Sequence, residues 1–229
     1  MLERLSSTDL SSCLMEIAQN PSLRRDLDQI LGDFCHQCRN RLNSLKLSIY
    51  LAKRQALGPI HEAWRSLESD YYSLEAQLDR FQTICRPMGL SLVSIGLCLL
   101  FDDRWESWSK LLANRGSELE FVRPKLRSIA RFDVNKLGAA LDSMVAWRAE
   151  QGTLSRKMIV RWWVESGQAH ILWIEPKVAE QVIRSPDDQL GSAWTLPILT
   201  RVLTEHGGSL SVDDREGWAL SLSWPASSS

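Results

Sequence analysis

The stretch Phe34-Cys35-His36-Gln37-Cys38-Arg39-Asn40-Arg41-Leu42-Asn43-Ser44-Leu45 sets one histidine inside a long helical pattern. Leu27, Leu31, Phe34, Cys38, Leu42, Leu45, Ile49 and Ala52 recur at spacings of three or four, the period of a helix that buries one face. At about 100° per residue, His36 points roughly 160° away from the centre of that stripe. It is expected in solvent, with Asn40 and Asn43 one and two turns along the helix. An exposed histidine flanked by amides is a candidate site.

Before this helix, residues 8–19 carry a short helical pattern that Asn20-Pro21 interrupts, and Ser22 is the expected cap of the long helix, which runs to about Ala56. Leu57-Gly58-Pro59 is a compact break. In the next segment Trp64, Leu67, Tyr71, Leu74, Leu78, Phe81 and Cys85 alternate spacings of three and four, the 3.5-residue period of a coiled-coil seam, until Arg86-Pro87-Met88-Gly89 ends it. Two long helices joined by a tight turn form a hairpin with apolar surface on both arms. A homodimer closing a four-helix bundle covers that surface; the alternative is a monomeric hairpin docked on the C-terminal half.

From about Leu90 the chain changes to mixed helix and strand. Strands are expected at Ser91–Ile95 and Glu118–Val122, and helices at Gly96–Asn114 and, capped by Asp133, Val134–Gln151. Met158–Val164 and His170–Ile174 flank Glu165-Ser166-Gly167-Gln168 as a hairpin. A helix over Trp194–His206 ends at Gly207-Gly208, and two alternating strands, Leu210–Val212 and Trp218–Trp224, follow. The reading is α+β in three parts: an N-terminal helical segment (1–20), a helical hairpin (21–89) and an α/β domain (90–229).

The chain has 229 residues, a formal charge of −1 and a pI near 6.4, so it has no global field to draw in nucleic acid or an anionic membrane. No apolar run reaches the ~20 residues that span a bilayer. The five cysteines are an odd number, and the start of the chain shows no basic-then-apolar signal peptide, so reduced thiols and a cytoplasmic location are expected. Ten tryptophans against three tyrosines read as bulky core filler. Zinc on Cys35, His36, Cys38 and Cys85 is the metal alternative, but Cys35 and Cys38 share a helix face that His36 does not, and there is no second Cys-x-x-Cys pair, so no metal is expected. His61 and His170 read as surface or structural, and His206 as a cap on the preceding carbonyls.

Several stretches together resemble the core of a two-component sensor histidine kinase. Residues 34–45 resemble the kinase H-box, in which a phospho-accepting histidine is followed by an acid and then Arg-Asn-Pro-Leu. Leu78-Asp79-Arg80-Phe81 through Met88 resembles the exit from the dimerisation hairpin. Asn114 to Phe121 and Leu196 to Leu210 are similar to the first helix-to-strand step and the last helix and strand of the kinase ATPase domain. The resemblance implies a four-helix bundle on dimerisation, followed by a kinase-type ATPase sandwich, with His36 as phosphoacceptor.

The departures from the family are concentrated where ATP would bind. Trp147, or Ala146 beside it, stands in the slot of the family's metal-holding asparagine. Glu175, in Ile174-Glu175-Pro176-Lys177, stands where the family has Asp-x-Gly-x-Gly, and no glycine occurs from Gln168 to Leu190. The last glycine-rich box is reduced to Gly191-Ser192-Ala193-Trp194. No nucleotide cofactor is therefore expected, because the metal ligand, the adenine-reading acid and the phosphate-cradling backbone are all missing. Gln37 replaces the acid of the H-box and cannot take up a proton. Asn40 remains, at the position that in the family orients water or the partner's phosphoryl group.

The expected function is histidine phosphotransfer between His36 and the aspartate of a response-regulator receiver, without autokinase activity. The receiver supplies any Mg²⁺, and Arg39, Asn43 and Lys46 are candidate contacts to it. The alternative is a catalytically silent scaffold that binds a receiver or a histidine kinase. Arg41 in place of the family's proline, and Gln37, favour that second reading. Residual kinase activity ranks third.

Overall fold

The protein, seen in a computed structural model, is described over residues 7–55, 62–150, 157–176, 192–215 and 217–227. It divides into two compact units: a helical hairpin of Asn20–Met88, and an α/β unit in which the N-terminal helix joins the residues from Gly89 onward. Among the described residues, no helix is long and apolar enough to cross a membrane.

The N-terminal helix α1 (Ser7–Gln19) belongs to the α/β unit, and the hairpin consists of α2 (Pro21–Gln55) and α3 (Glu62–Cys85). Asn20, rather than Ser22, caps α2. Its Oδ1 accepts the N–H groups of Ser22 at 3.1 Å and Leu23 at 3.2 Å, and Pro21 occupies the first helical position, where a missing N–H costs nothing. The connection over 56–61 lies outside the described residues.

The α2 stripe divides its work between two faces. Cys35, Leu42 and Ile49, seven residues apart, are buried, and Leu42 and Ile49 cluster with Tyr71 and Leu78 of α3. Phe34 and Leu45, expected on the same buried seam, are 60% and 41% exposed, as are Leu67 (38%) and Leu74 (53%) on α3. A 3.5-residue period lets each helix carry two neighbouring apolar rows, and a single hairpin covers only one of them.

The second unit is built on a five-stranded sheet of order β2-β4-β5-β7-β6, from strands β2 (Glu118–Val122), β4 (Lys157–Glu165), β5 (Gln168–Pro176), β6 (Ser209–Asp213) and β7 (Gly217–Pro225). β2 runs parallel to β4, and the other pairs are antiparallel. Strand alternation sends Met158, Val160, Trp162, Ala169, Ile171, Trp173, Leu220, Leu222 and Trp224 to one face, where all are buried. Phe101 stacks on Trp162 with ring centroids 4.3 Å apart, and Trp108 meets Trp173 edge-on, so the helices cover that face with aromatic rings. Helix α1 packs along α7 (Ser192–Glu205), burying Leu14, Ile17 and Ala18.

Two local expectations change. The helix expected over Gly96–Asn114 is two helices, α4 (Leu97–Asp102) and α5 (Trp105–Ala113). The break lies at Asp103-Arg104, where the Arg104 guanidinium turns back to donate to the Leu100 carbonyl at 3.2 Å and pairs with Asp142 of α6 (Val134–Glu150) at 3.2 Å. A strand that sequence patterning does not reveal, β3 (Ile129–Phe132), pairs antiparallel with β1 (Val93–Gly96); four residues are too few for a period to register.

Asp133 caps α6 as expected, with Oδ1 accepting the Lys136 N–H at 2.9 Å and Oδ2 accepting that of Ser91 at 2.8 Å. Burial alone would push this carboxyl up, but the Lys136, Ser91 and Asn135 N–H groups and the Lys136 charge outweigh it and hold Asp133 below the usual range. His206 does more than cap. Its Nδ1–H donates to the Val202 carbonyl at 2.7 Å, leaving Nε2 to accept the Asp133 N–H at 2.9 Å, so one imidazole ties the end of α7 to the start of α6.

In the hairpin core, burial and then a 2.8 Å hydrogen bond to Glu75 push the Tyr71 hydroxyl up to about 12. An unfolded tyrosine titrates near 10. Between about pH 10 and 12 the unfolded chain gives up a proton that the folded hairpin keeps, so stability falls as pH rises through that window. Alkaline titration followed by circular dichroism is expected to show helix loss there, with a shallower slope in Tyr71→Phe; equal slopes would contradict this assignment.

Candidate functional site

Helix α2 continues unbroken through 34–45, since Arg41 stands where a proline would remove a helix hydrogen bond. His36 is exposed on it, and Gln37, Asn40 and Asn43 are exposed beside it. One turn along, the Asn40 side-chain amide Nδ2 reaches the Nδ1 of His36 at 3.2 Å. Nδ1 is thereby engaged within the helix, and Nε2 is the ring nitrogen left for chemistry. With Nδ2–H donating to Nδ1 the neutral ring carries its proton on Nε2; in the other tautomer, with Nδ1–H donated to Asn40 Oδ1 after a half-turn of the amide, the Nε2 lone pair is free to attack an acyl phosphate.

Arg39 and Lys46, basic residues near His36, are exposed and also reach across to α3. Arg39 Nη2 donates to Asp79 Oδ1 and to Gln82 Oε1, each at 2.6 Å. Lys46 lies over the rings of Tyr71 and Tyr72, 5.6 and 5.7 Å from their centroids. Lys53 pairs with Glu68 at 2.7 Å. The sequence pattern gave Arg39 and Lys46 outward roles because it could not say which flank of α2 meets α3. Around Lys46, Lys53 and Arg54, with Tyr50, Tyr71 and Tyr72, the hairpin forms a groove of about 520 Å³. It begins about 15 Å along α2 from His36, ten residues at the helical rise.

Of the four degenerate ATP-slot residues, two come together. Trp147 on α6 meets Trp218 of β7 edge-on, with ring centroids 5.9 Å apart. Arg148 lies over both rings, 4.4 Å from the centroid of Trp218 and 5.3 Å from that of Trp147. Its Nε donates to Glu175 Oε1 at 2.8 Å and its Nη2 to Oε2 at 2.5 Å, while Trp173 Nε1 adds a third donor to Oε1 at 2.9 Å. The Glu175 side chain is 3% exposed and accepts these three hydrogen bonds. Trp194 is buried in α7, and Gly191 lies outside the described residues. Sequence reading found Trp147 and Glu175 but missed Arg148, whose position next to Trp147 was the available signal.

Among the described residues, no three His, Cys, Asp or Glu side chains gather as metal ligands. Cys35 and Cys85 are buried, Cys38 is half-buried, and all are free thiols.

No family model and no curated protein matches the sequence. Solved structures do. The full-length ShkA structure, crystallised with AMPPNP, aligns with a TM-score of 0.61 at 15% identity, over 88% of this chain and 47% of that one. The histidine kinase ThkA, solved in complex with the response regulator TrrA, aligns at 0.57 and 13% identity, over 89% of this chain and 64% of ThkA. The Acinetobacter baumannii histidine kinase AdeS aligns at 0.54 and 9% identity, over 84% of this chain and 98% of AdeS. The chain thus has the fold of a sensor histidine kinase core, and spans about half the length of ShkA and two thirds of ThkA.

Removing the Glu175 charge would leave Arg148 buried without its anion. Glu175→Gln is expected to destabilise the α/β unit by about 3–5 kcal/mol, and an Arg148→Met/Glu175→Leu double variant to recover most of that loss. Thermal denaturation of the three proteins checks it.

Proposed function

We propose that this protein passes a phosphoryl group between His36 and the aspartate of a response-regulator receiver, and that it does so without a nucleotide of its own. The observation that carries this reading is the exposed His36, with its Nδ1 engaged by Asn40, on a helix of a histidine kinase fold. The ThkA–TrrA complex supports a receiver as the partner class, since a kinase of this fold was solved holding one. Transfer asks little of the helix: Nε2 attacks in line, and the receiver brings the cation that neutralises the phosphoryl charge. The groove with Lys46, Lys53 and Arg54 offers positive charge and tyrosine rings to the acidic rim of such a partner.

The residues at the degenerate ATP slots do not fit Mg-nucleotide. Glu175, which the resemblance sets at the adenine-reading position, already accepts three hydrogen bonds, and Trp147, which it sets in the slot of the metal-holding asparagine, packs against Trp218 and Arg148. No step is therefore routed through ATP, and any phosphoryl group on His36 comes from another protein. The exposed rows of Phe34 and Leu45 on α2 and Leu67 and Leu74 on α3 favour a homodimer closing a four-helix bundle, with a cytoplasmic setting to match the receiver.

A second reading, a scaffold that binds a receiver or a kinase without chemistry, is favoured by one observation. Arg39, the basic residue nearest His36 in sequence, is committed to Asp79 and Gln82 and offers little to an incoming phosphate. The two readings separate on incubation with radiolabelled phosphorylated receivers. Transfer predicts acid-labile label on the wild type and none on His36→Gln. Receivers that bind yet leave the wild type unlabelled would establish the scaffold instead.

A further inference from the structure

The contact between Asn40 and His36 carries more than orientation. Asn40 Nδ2 lies 3.2 Å from His36 Nδ1, one helical turn apart, and Gln37 occupies the place of the acid that would otherwise manage the ring's protons. An amide presents a donor at one end and an acceptor at the other, and a half-turn about its terminal torsion exchanges them at nearly the same distance. We infer that Asn40 is the positioning residue that follows the protonation of His36 Nδ1 through phosphotransfer, and that it shields the phosphohistidine from hydrolysis by keeping Nδ1 unprotonated.

This inference rests on the transfer reading. With Oδ1 toward the ring, Asn40 accepts from Nδ1–H, and Nε2 carries the lone pair. Nε2 then forms the N–P bond while the P–O bond of the receiver's acyl phosphate breaks, its electron pair going to the aspartate carboxylate. The Nδ1 proton leaves to water, and the amide turns so that Nδ2–H donates to the Nδ1 lone pair; the same approach of Nδ2 to Nδ1, at 3.2 Å, is seen on the unphosphorylated ring, where it goes with the proton on Nε2. Protonation of Nδ1 would convert the leaving group of the phosphoramidate from imidazolate to neutral imidazole and speed hydrolysis. A donor at Nδ1 opposes that protonation. A carboxylate at residue 40 would suit only the first state, because it can accept from Nδ1–H but cannot donate to the lone pair. Both side chains are exposed, so substitution here leaves the hairpin core intact.

The test uses the full chain phosphorylated chemically with phosphoramidate, so that it does not depend on finding the natural receiver. Hydrolysis of the phosphohistidine between pH 6 and 8 is followed by ³¹P spectroscopy, and Nδ1 protonation by ¹⁵N spectroscopy. Asn40→Ala is expected to hydrolyse several-fold faster than wild type, Asn40→Asp faster still, and both to show Nδ1 protonated at higher pH. Asn40→Gln, which keeps the amide, is expected to lie nearest wild type. Equal lifetimes and equal Nδ1 protonation in wild type, Asn40→Ala and Asn40→Asp would overturn the inference. Failure of receivers to label the wild type, with these differences present, would remove the transfer reading and leave the Asn40 assignment standing.

Discussion

The α/β unit depends on the buried pair of Arg148 and Glu175. Two charges out of water are costly, and the pair is compensated by two guanidinium donors and the Trp173 indole on the carboxylate and by the Trp147 and Trp218 rings against the cation. The pair ties α6 to β5, while His206 ties the end of α7 to the cap of α6. An enzyme of this fold that uses a nucleotide must leave such groups open to it. Here the Glu175 carboxylate is engaged by Arg148 and Trp173.

That arrangement changes what the hairpin has to do. Beside His36, residue 37 is glutamine, which cannot take up a proton as the acid of the kinase H-box does, and Arg39 is bound across to α3. What remains on the exposed flank is small and specific: His36, an amide on its Nδ1, and further along a groove with lysines and tyrosines. The second apolar row, with Phe34 and Leu45 exposed, lies on the flank of α2 away from His36.

Much of this was legible in the sequence because helices and strands announce themselves by period. The long pattern around residues 34–45, the Asp133 cap, and the strand pair about Glu165-Ser166-Gly167-Gln168 all appear as expected. The misses share a physical origin. Periodicity says that α2 has an apolar stripe, but not that Cys35 is buried and Phe34 exposed, because adjacent rows on a helix differ by one residue and only the partner helix chooses between them. The same ambiguity hid that Arg39 and Lys46, though exposed, also reach across to α3. The split at Asp103-Arg104 was hidden because it is made by a side chain bonding across to Asp142, and β3 because it is four residues long. The meeting of Arg148 with Glu175 is a contact between a helix and a strand 27 positions apart, which no local pattern encodes.

The central claim is that the ATPase-type unit fills its own slot, so that phosphoryl groups reach His36 only from outside. Calorimetric titration of the wild-type protein with Mg-ATP tests it most directly. The account predicts no saturable heat up to millimolar nucleotide; stoichiometric, magnesium-dependent binding in the micromolar range would contradict it.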